Sequence, residues 1–307
     1  MQHRFAKRMD MMPKSFIREI LKISQKSEVI SFAGGLPNPL LFPVDLIKKS
    51  TDKVLSEDGD QVLQYSTTEG YYPLREYIAE RYFSRFNMLI SPDDVLITNG
   101  SQQALDLIGK IFIDEGDNIL IEKPGYLGAI QAFSGYEPVF NSVNLLDDGI
   151  DIVDLERSLK DTKPKFVYTV PNFQNPSGIT YSLIKRQKTA ELVSKYDTVL
   201  IEDDPYGELR FIGEELPPIK KFAFANTILL GSFSKIVAPG LRLGWVIANR
   251  DIMEKLVIAK QGADLHSNYF AQRVIYRYLV DYNLDLHIEK IKVEYKKQRE
   301  AMIEAMD

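Results

Sequence analysis

Cysteine is absent from all 307 residues. Disulfides, thiolate metal sites and cysteine nucleophiles are therefore excluded. Histidine is nearly absent: His3, His266 and His287 are the whole set, and their separation matches no zinc-ligand spacing. No resident metal is expected. A basic excess is missing as well, with 38 Lys and Arg against 43 Asp and Glu and a net charge of −5. A nucleic-acid surface needs the opposite balance. No apolar run approaches the roughly 18–20 residues that span a bilayer. The opening stretch, MQHRFAKRMDMMPKSF, lacks the apolar core of a secretory signal. These absences leave neither nucleic acid nor membrane as an expected partner and make the cytoplasm the expected location. Common phosphate-loop and hydrolase signatures are missing too. No G-x-G-x-x-G follows a strand pattern, GSFSKI (231–236) lacks the Walker A spacing, and no G-x-S-x-G elbow occurs.

What is present is an ordinary globular balance, 45% hydrophobic and 26% charged residues, in a length that suits about two domains. Seven short runs rich in Val, Ile and Leu read as strands: 94–100, 118–124, 138–143, 165–171, 198–204, 227–233 and 243–249. Most are near-continuous apolar runs, as in strands covered on both faces. Between them lie helical patterns such as 101–112 and 182–196. This alternation predicts an α/β fold with a mostly parallel seven-stranded sheet and helices on both faces. Only a short segment separates the last two runs, which suits one strand running antiparallel. At the ends, 13–24 reads as a first helix. The chain beyond 268 reads as helical, and 287–307 is charged enough to predict a solvated helix.

Ligands of parallel α/β sheets bind at the carboxyl ends of the strands, and polar residues gather there in this chain. TNGSQQAL ends one strand and opens a helix, so backbone N–H groups beside Ser101 and Gln102 suit a phosphate. IEKPGY brings up Tyr126, VPNFQNPSG offers Asn175, and IEDDPYG offers Asp203 and Tyr206. GSFSK brings Ser232, Ser234 and Lys235, with Arg242 following. Together these residues specify a ligand with a phosphate, a flat ring, a basic ring nitrogen, an acidic ring hydroxyl and an aldehyde: pyridoxal 5'-phosphate. Lys235 is the amine for the aldehyde, kept neutral by burial and a neighbouring cation. Arg242 offers a fork of donors to the phosphate. Asp203 keeps the ring nitrogen protonated. Asn175 and Tyr206 suit the ring hydroxyl. Tyr126 either stacks on the ring or is a core aromatic.

These motifs, in this order, resemble the fold-type I pyridoxal-phosphate aminotransferases of class I/II over nearly the whole chain. The resemblance selects Asn175 in N-P-S-G, Asp203 (not Asp204) with Tyr206 three positions on, and Ser232, Ser234, Lys235 and Arg242 in S-x-S-K and its arginine. Within the class, SFAGGLPNPLLFP, GSQQALDL and KQGADLH look most like the 2-aminoadipate and kynurenine aminotransferase branch. The resemblance implies a homodimer in which Tyr65 reaches the phosphate of the neighbouring subunit. It implies cis peptides before Pro124 and Pro176. Substrate binding is expected of Asn175, of Gly35 with Gly34 (close approach to substrate, or a plain turn), and of Arg18 (a distal-carboxylate receptor, or a solvated helix arginine). It further implies an N-terminal arm and first helix over 1–45, a large cofactor-binding α/β domain over 46–260, and a helical connector over 261–307 to an incomplete small domain.

The expected reaction is ping-pong transamination between an amino acid and a 2-oxo acid such as 2-oxoglutarate. Lys235 moves the Cα proton as base and then acid, with Asp203 and Tyr206 as its catalytic companions. Family members run longer at the C-terminus and carry there an arginine for the substrate α-carboxylate. No arginine in that context follows here, since Arg299 lies in the charged helix. Two further readings therefore stand beside the aminotransferase: a shortened, non-catalytic cofactor-binding module, and a lyase on the same fold.

Overall fold

A computed structural model of the chain describes residues 4–11 and 35–306. The helix expected at 13–24, and with it Arg18 and Gly34, lies outside the described residues. Each of the seven expected runs coincides with a strand, the third running three residues past its expected end. They are β1 (Val95–Thr98), β2 (Asn118–Lys123), β3 (Val139–Leu146), β5 (Phe166–Thr169), β6 (Val199–Asp203), β7 (Thr227–Ser232) and β8 (Gly244–Ile247). An eighth, β4 (Gly149–Ile150), returns from β3 as a two-residue edge strand. The sheet order is β1-β8-β7-β6-β5-β2-β3-β4. The central ladders are parallel, whereas β8 runs antiparallel to both of its neighbours. The short β7–β8 connection requires that reversal, because a parallel crossover needs a dozen or more residues.

Nine longer helices surround the sheet among the described residues: α1 (Val44–Val62), α2 (Tyr72–Phe86), α3 (Gly100–Phe112), α4 (Leu127–Ser134), α5 (Ile152–Thr162), α6 (Leu183–Lys195), α7 (Arg250–Gln261), α8 (Tyr269–Asp281) and α9 (Leu284–Glu304). Asp151, Ser182, Asn249, Asn268 and Asn283 cap α5 to α9 through side-chain oxygens that accept first-turn N–H groups. The sheet's side chains alternate between its faces, as the two-residue repeat of a strand dictates. Leu96, Ile121, Ile201, Leu230 and Val246 point to one face, where residues of α3, α4 and α7 cover them. The opposite face is shared. Val95, Ile97, Leu229 and Trp245 pack with α2, α8 and α9, and Leu120, Val167 and Leu200 pack with α5 and α6. Burial on both faces explains why these strands read as unbroken apolar runs.

The charged C-terminal helix is only partly the solvated element its composition predicts. Leu284, Ile288 and Ile291 in its first half are buried in the core, with Tyr295 against them. Val54 and Val62 of α1 pack on Val274 of α8, so the segments before and after the sheet meet beside it.

Candidate active site

The parallel strands direct their carboxyl ends to one rim, and the polar residues singled out in the sequence follow those ends. After β1 the chain turns through Asn99 and enters α3 at Gly100, whose φ of +73° favours glycine. A Cβ at Gly100 would also lie 3.0 Å from Arg242 Nη2. The guanidinium therefore sits directly over the N-terminus of a 13-residue helix. First-turn N–H groups lack intrahelical acceptors and carry the positive end of the helix dipole. Arg242 donates only long hydrogen bonds, 3.4 Å each, to the Pro239 and Asn99 carbonyls. It forms no ion pair among the described residues. Cation and helix terminus together make an anion seat. Half-buried Ser101 lies in that first turn, and Gln102 beside it gives one amide hydrogen to the Gly128 carbonyl at 2.9 Å, tying α3 to the start of α4.

Lys235 and Arg242 share the β7–β8 connection. Ser232, the last residue of β7, donates to the Leu243 carbonyl at 3.4 Å and accepts the Ser234 N–H at 3.1 Å, which closes the turn that presents Lys235. Close approach is needed here, since a Cβ at Gly244 would fall 3.0 Å from the Gly100 backbone and 2.9 Å from the Gly231 carbonyl. The Lys235 Nζ lies 6.0 Å from the centroid of the Tyr206 ring and has no hydrogen bond or ion pair among the described residues. Burial lowers its pKa, and the Arg242 cation lowers it further. The amine is thus biased toward its neutral, nucleophilic form.

Asp203 ends β6 and is 2% exposed. Its Oδ2 accepts the Tyr168 hydroxyl at 2.8 Å, whereas its Oδ1 is buried without a hydrogen-bond partner. Burial pushes its pKa up to about 7, the Tyr168 bond opposes that rise, and Asp204 adds to it. Burial raises the Tyr206 pKa, the neighbouring Asn175 side chain opposes that rise, and Asp203 adds to it. Tyr126 is half-buried, and its pKa is raised by burial, then by Asp203 and Tyr206. Its ring covers Gly128, where a Cβ would come within 2.6 Å of it. The structure thus brings Tyr126, Asn175, Asp203, Tyr206 and Lys235 together, with Arg242 and the α3 N-terminus alongside. The peptides before Pro124 and Pro176 are both cis. Tyr65 does not join the cluster: it is 78% exposed, with its ring edge-on to His266 at 5.8 Å. Gly35 has φ +52° and open space around it.

Sequence reasoning missed one support of this site. Glu122, at the end of β2, is 1% exposed and accepts from the Tyr181 hydroxyl at 2.6 Å, the Val170 N–H at 3.0 Å and the Gln174 amide at 3.1 Å. Gln174 also donates to the Pro124 carbonyl at 2.8 Å and accepts the Ser177 N–H at 2.9 Å. The pair joins the loop carrying Tyr126 to the loop carrying Asn175. Burial pushes Glu122 up to about 7 despite those donors. An acid beside a strand end gives no local signal of such a role.

The residues present fit pyridoxal phosphate. The orphaned Asp203 oxygen suits the N–H of a protonated pyridine ring, and the Arg242 guanidinium beside the start of α3 suits a phosphate. Comparison with known proteins agrees. The pattern of the aminotransferase class I and II family matches residues 28–307. Aromatic-amino-acid aminotransferase 1 of Thermococcus litoralis is 47% identical over 302 residues, covering 96% of this chain and 72% of the relative. The kynurenine aminotransferase of Pyrococcus horikoshii, solved with PMP, superposes with a TM-score of 0.92 at 45% identity, covering 98% of this chain and 76% of that one. The alpha-aminoadipate aminotransferase of Thermus thermophilus, complexed with N-(5'-phosphopyridoxyl)-L-leucine, gives a TM-score of 0.91 at 41% identity over 99% of this chain and 76% of that one.

Proposed function

Since this chain belongs to the aminotransferase class I and II family, and so moves amino groups with pyridoxal phosphate, we propose that Lys235, Asp203 and Tyr206 are its catalytic residues. When bound, the cofactor supplies an electrophilic carbon for the amino group and a ring that accepts the electron pair left at the substrate Cα. Asp203, through its unpartnered Oδ1, holds the proton on the ring nitrogen. Lys235, biased toward the neutral amine, would take the proton from the substrate Cα as base and, as the resulting acid, give it up to the cofactor carbon. Arg242, Ser232, Ser234 and the first turn of α3 with Ser101 and Gln102 seat the phosphate. Asn175 and Tyr206 hold the ring hydroxyl, and Tyr126 covers the ring. The observation that carries this assignment is a dry, half-satisfied carboxylate in one cluster with an unpaired lysine amine.

Ping-pong exchange follows from one site serving both partners: an amino acid leaves as its 2-oxo acid before a second 2-oxo acid, 2-oxoglutarate in this proposal, takes the amino group. For donors, the names of the relatives at 41–47% identity support aromatic amino acids and 2-aminoadipate. Asn175, Gly35 and Arg18 are the proposed substrate contacts. The exposure of Tyr65 supports a homodimer in which it completes the partner's phosphate seat. The division at 45 and 260 is kept as part of this reading: all eight strands fall between those limits. The cytoplasm, where free amino acids and 2-oxo acids are metabolised, is the proposed location. Among the described residues no helix is long and apolar enough to cross a membrane.

The test is titration of the cofactor-loaded protein with a panel of amino acids, following the absorbance change as the cofactor gains an amino group. Aromatic amino acids and 2-aminoadipate should drive the change, and 2-oxoglutarate should reverse it. No change with any amino acid would refute the catalytic assignment; a change confined to other donors would refute the substrate class.

A further inference from the structure

The KQGADLH stretch stands out in the sequence, yet nothing in the cluster around Lys235 uses it. In the fold it ends α7 and passes behind the anion seat. Lys260 is 0% exposed, and its ammonium has four acceptor contacts: Gln103 Oε1 at 2.9 Å, both Asp264 oxygens at 2.9 and 3.0 Å, and Ser267 Oγ at 3.0 Å. A buried lysine is rare unless paired, and this one has every donor engaged. Asp264 Oδ2 also accepts the Asn99 and Gln103 side-chain amides, at 2.6 Å each. Gln103 Oε1 in turn accepts the Asn99 N–H at 2.8 Å. Asn99 is therefore held by both its side chain and its backbone, and its carbonyl is the one that faces Arg242 Nη2 at 3.4 Å.

The same cluster reaches the loop that carries Tyr65. The Ser267 carbonyl takes the Gln272 amide at 3.0 Å and lies 2.9 Å from His266 Nδ1. His266 Nε2 takes the Ser66 N–H at 3.3 Å, and Gln272 Oε1 takes the Tyr71 N–H at 2.8 Å. With its Nε2 accepting, His266 carries its proton on Nδ1 and donates it to the Ser267 carbonyl.

We propose that Lys260 and Asp264 are positioning residues for phosphate recognition, fixing the Asn99–Gly100 turn so that Arg242 and the first N–H groups of α3 converge on one anion. The ion pair, Lys260 buried and Asp264 half-buried, is not itself a ligand contact; it acts through Asn99. A purely structural ion pair would support the whole fold and weaken every ligand alike. A positioning pair weakens only ligands that carry the phosphate.

The test compares pyridoxal phosphate with pyridoxal, which lacks the phosphate, by equilibrium dialysis against the cofactor-free full chain. Asp264→Asn and Asn99→Ala are each measured beside the unaltered protein. Asn99→Ala removes the side-chain half of the link while the backbone bond to Gln103 and the Lys260 pair stay in place, so it carries the test if Asp264→Asn does not fold. The expected result is a rise of at least about tenfold in the Kd for pyridoxal phosphate, the loss of about one hydrogen bond to a charged group, with the Kd for pyridoxal unchanged. Stabilisation of the same proteins by inorganic phosphate in thermal melts should fall in step. Equal weakening of both ligands, or no weakening of either, overturns the inference. The inference rests on the anion seat being the phosphate seat. If the unaltered protein binds the two ligands equally, that prior assignment fails; if it discriminates and the variants still do, only the role of the network fails.

Discussion

Asp203→Asn should make the cofactor-free protein more stable at pH 8 and less stable at pH 4. Burial lifts the Asp203 carboxyl from its ordinary 3.8 to about 7, a gap worth about 4 kcal/mol. The sign follows from proton binding. Below about pH 4 both folded and unfolded chains hold the proton, and stability is intact. As pH rises toward 7 the unfolded chain releases the proton and the folded one does not, so stability is lost through that window. Asparagine never ionises. It keeps an oxygen for the Tyr168 hydroxyl but places an amide where Oδ1 has no partner, a pH-independent cost of about 1–3 kcal/mol. The difference between the two proteins should therefore swing with pH, about 3 kcal/mol of it between pH 5 and pH 8. Glu122 and Glu202, also raised to about 7, titrate in both proteins and largely cancel. Urea unfolding across that range measures the swing. Parallel stability profiles for the two proteins would refute the claim that Asp203 is held dry and unpaired. Pyridoxal phosphate should flatten the profile of the unaltered protein alone, because its ring N–H gives the carboxylate a cationic partner.

Lys235→Ala should lower turnover by at least about 10²–10⁴-fold, the usual worth of a positioned acid–base group, with the cofactor-free melt unchanged; steady-state kinetics with near-normal turnover would remove Lys235 from the chemistry. Gly100→Ala forces a side chain to φ +73° and a Cβ to 3.0 Å from Arg242 Nη2. It should cost about 1–3 kcal/mol of stability, and it should weaken binding of inorganic phosphate, both readable in one set of thermal melts.

The sheet was legible because strands buried at every position, such as β1 and β8, read as near-continuous apolar runs. β4 was not, since two residues carry no period. The cofactor cluster was legible for a different reason. Each of its residues lies within a few positions of an apolar run that ends, and a parallel sheet gathers such ends on one rim. Glu122 escaped notice because its partners Tyr181, Val170 and Gln174 lie 59, 48 and 52 positions away. Lys260 and Asp264 stand four apart near a helix end, a spacing that reads as a surface ion pair. Only the packing of α7 against α3 reveals that the lysine of the pair is fully buried. Sequence shows the residues that touch a ligand at strand ends far better than those that hold such residues still.

The β7–β8 connection carries both the amine and the guanidinium on one span, with each end welded into the same sheet. Their separation is thereby set by chain length rather than by how two independent loops happen to settle. One inserted or deleted residue between 235 and 242 would detune the spacing from reactive aldehyde to anchored phosphate, a fixed dimension of the bound molecule. The other rim loops have no such gauge to keep and are freer to lengthen or vary, so novelty in substrate choice belongs to them.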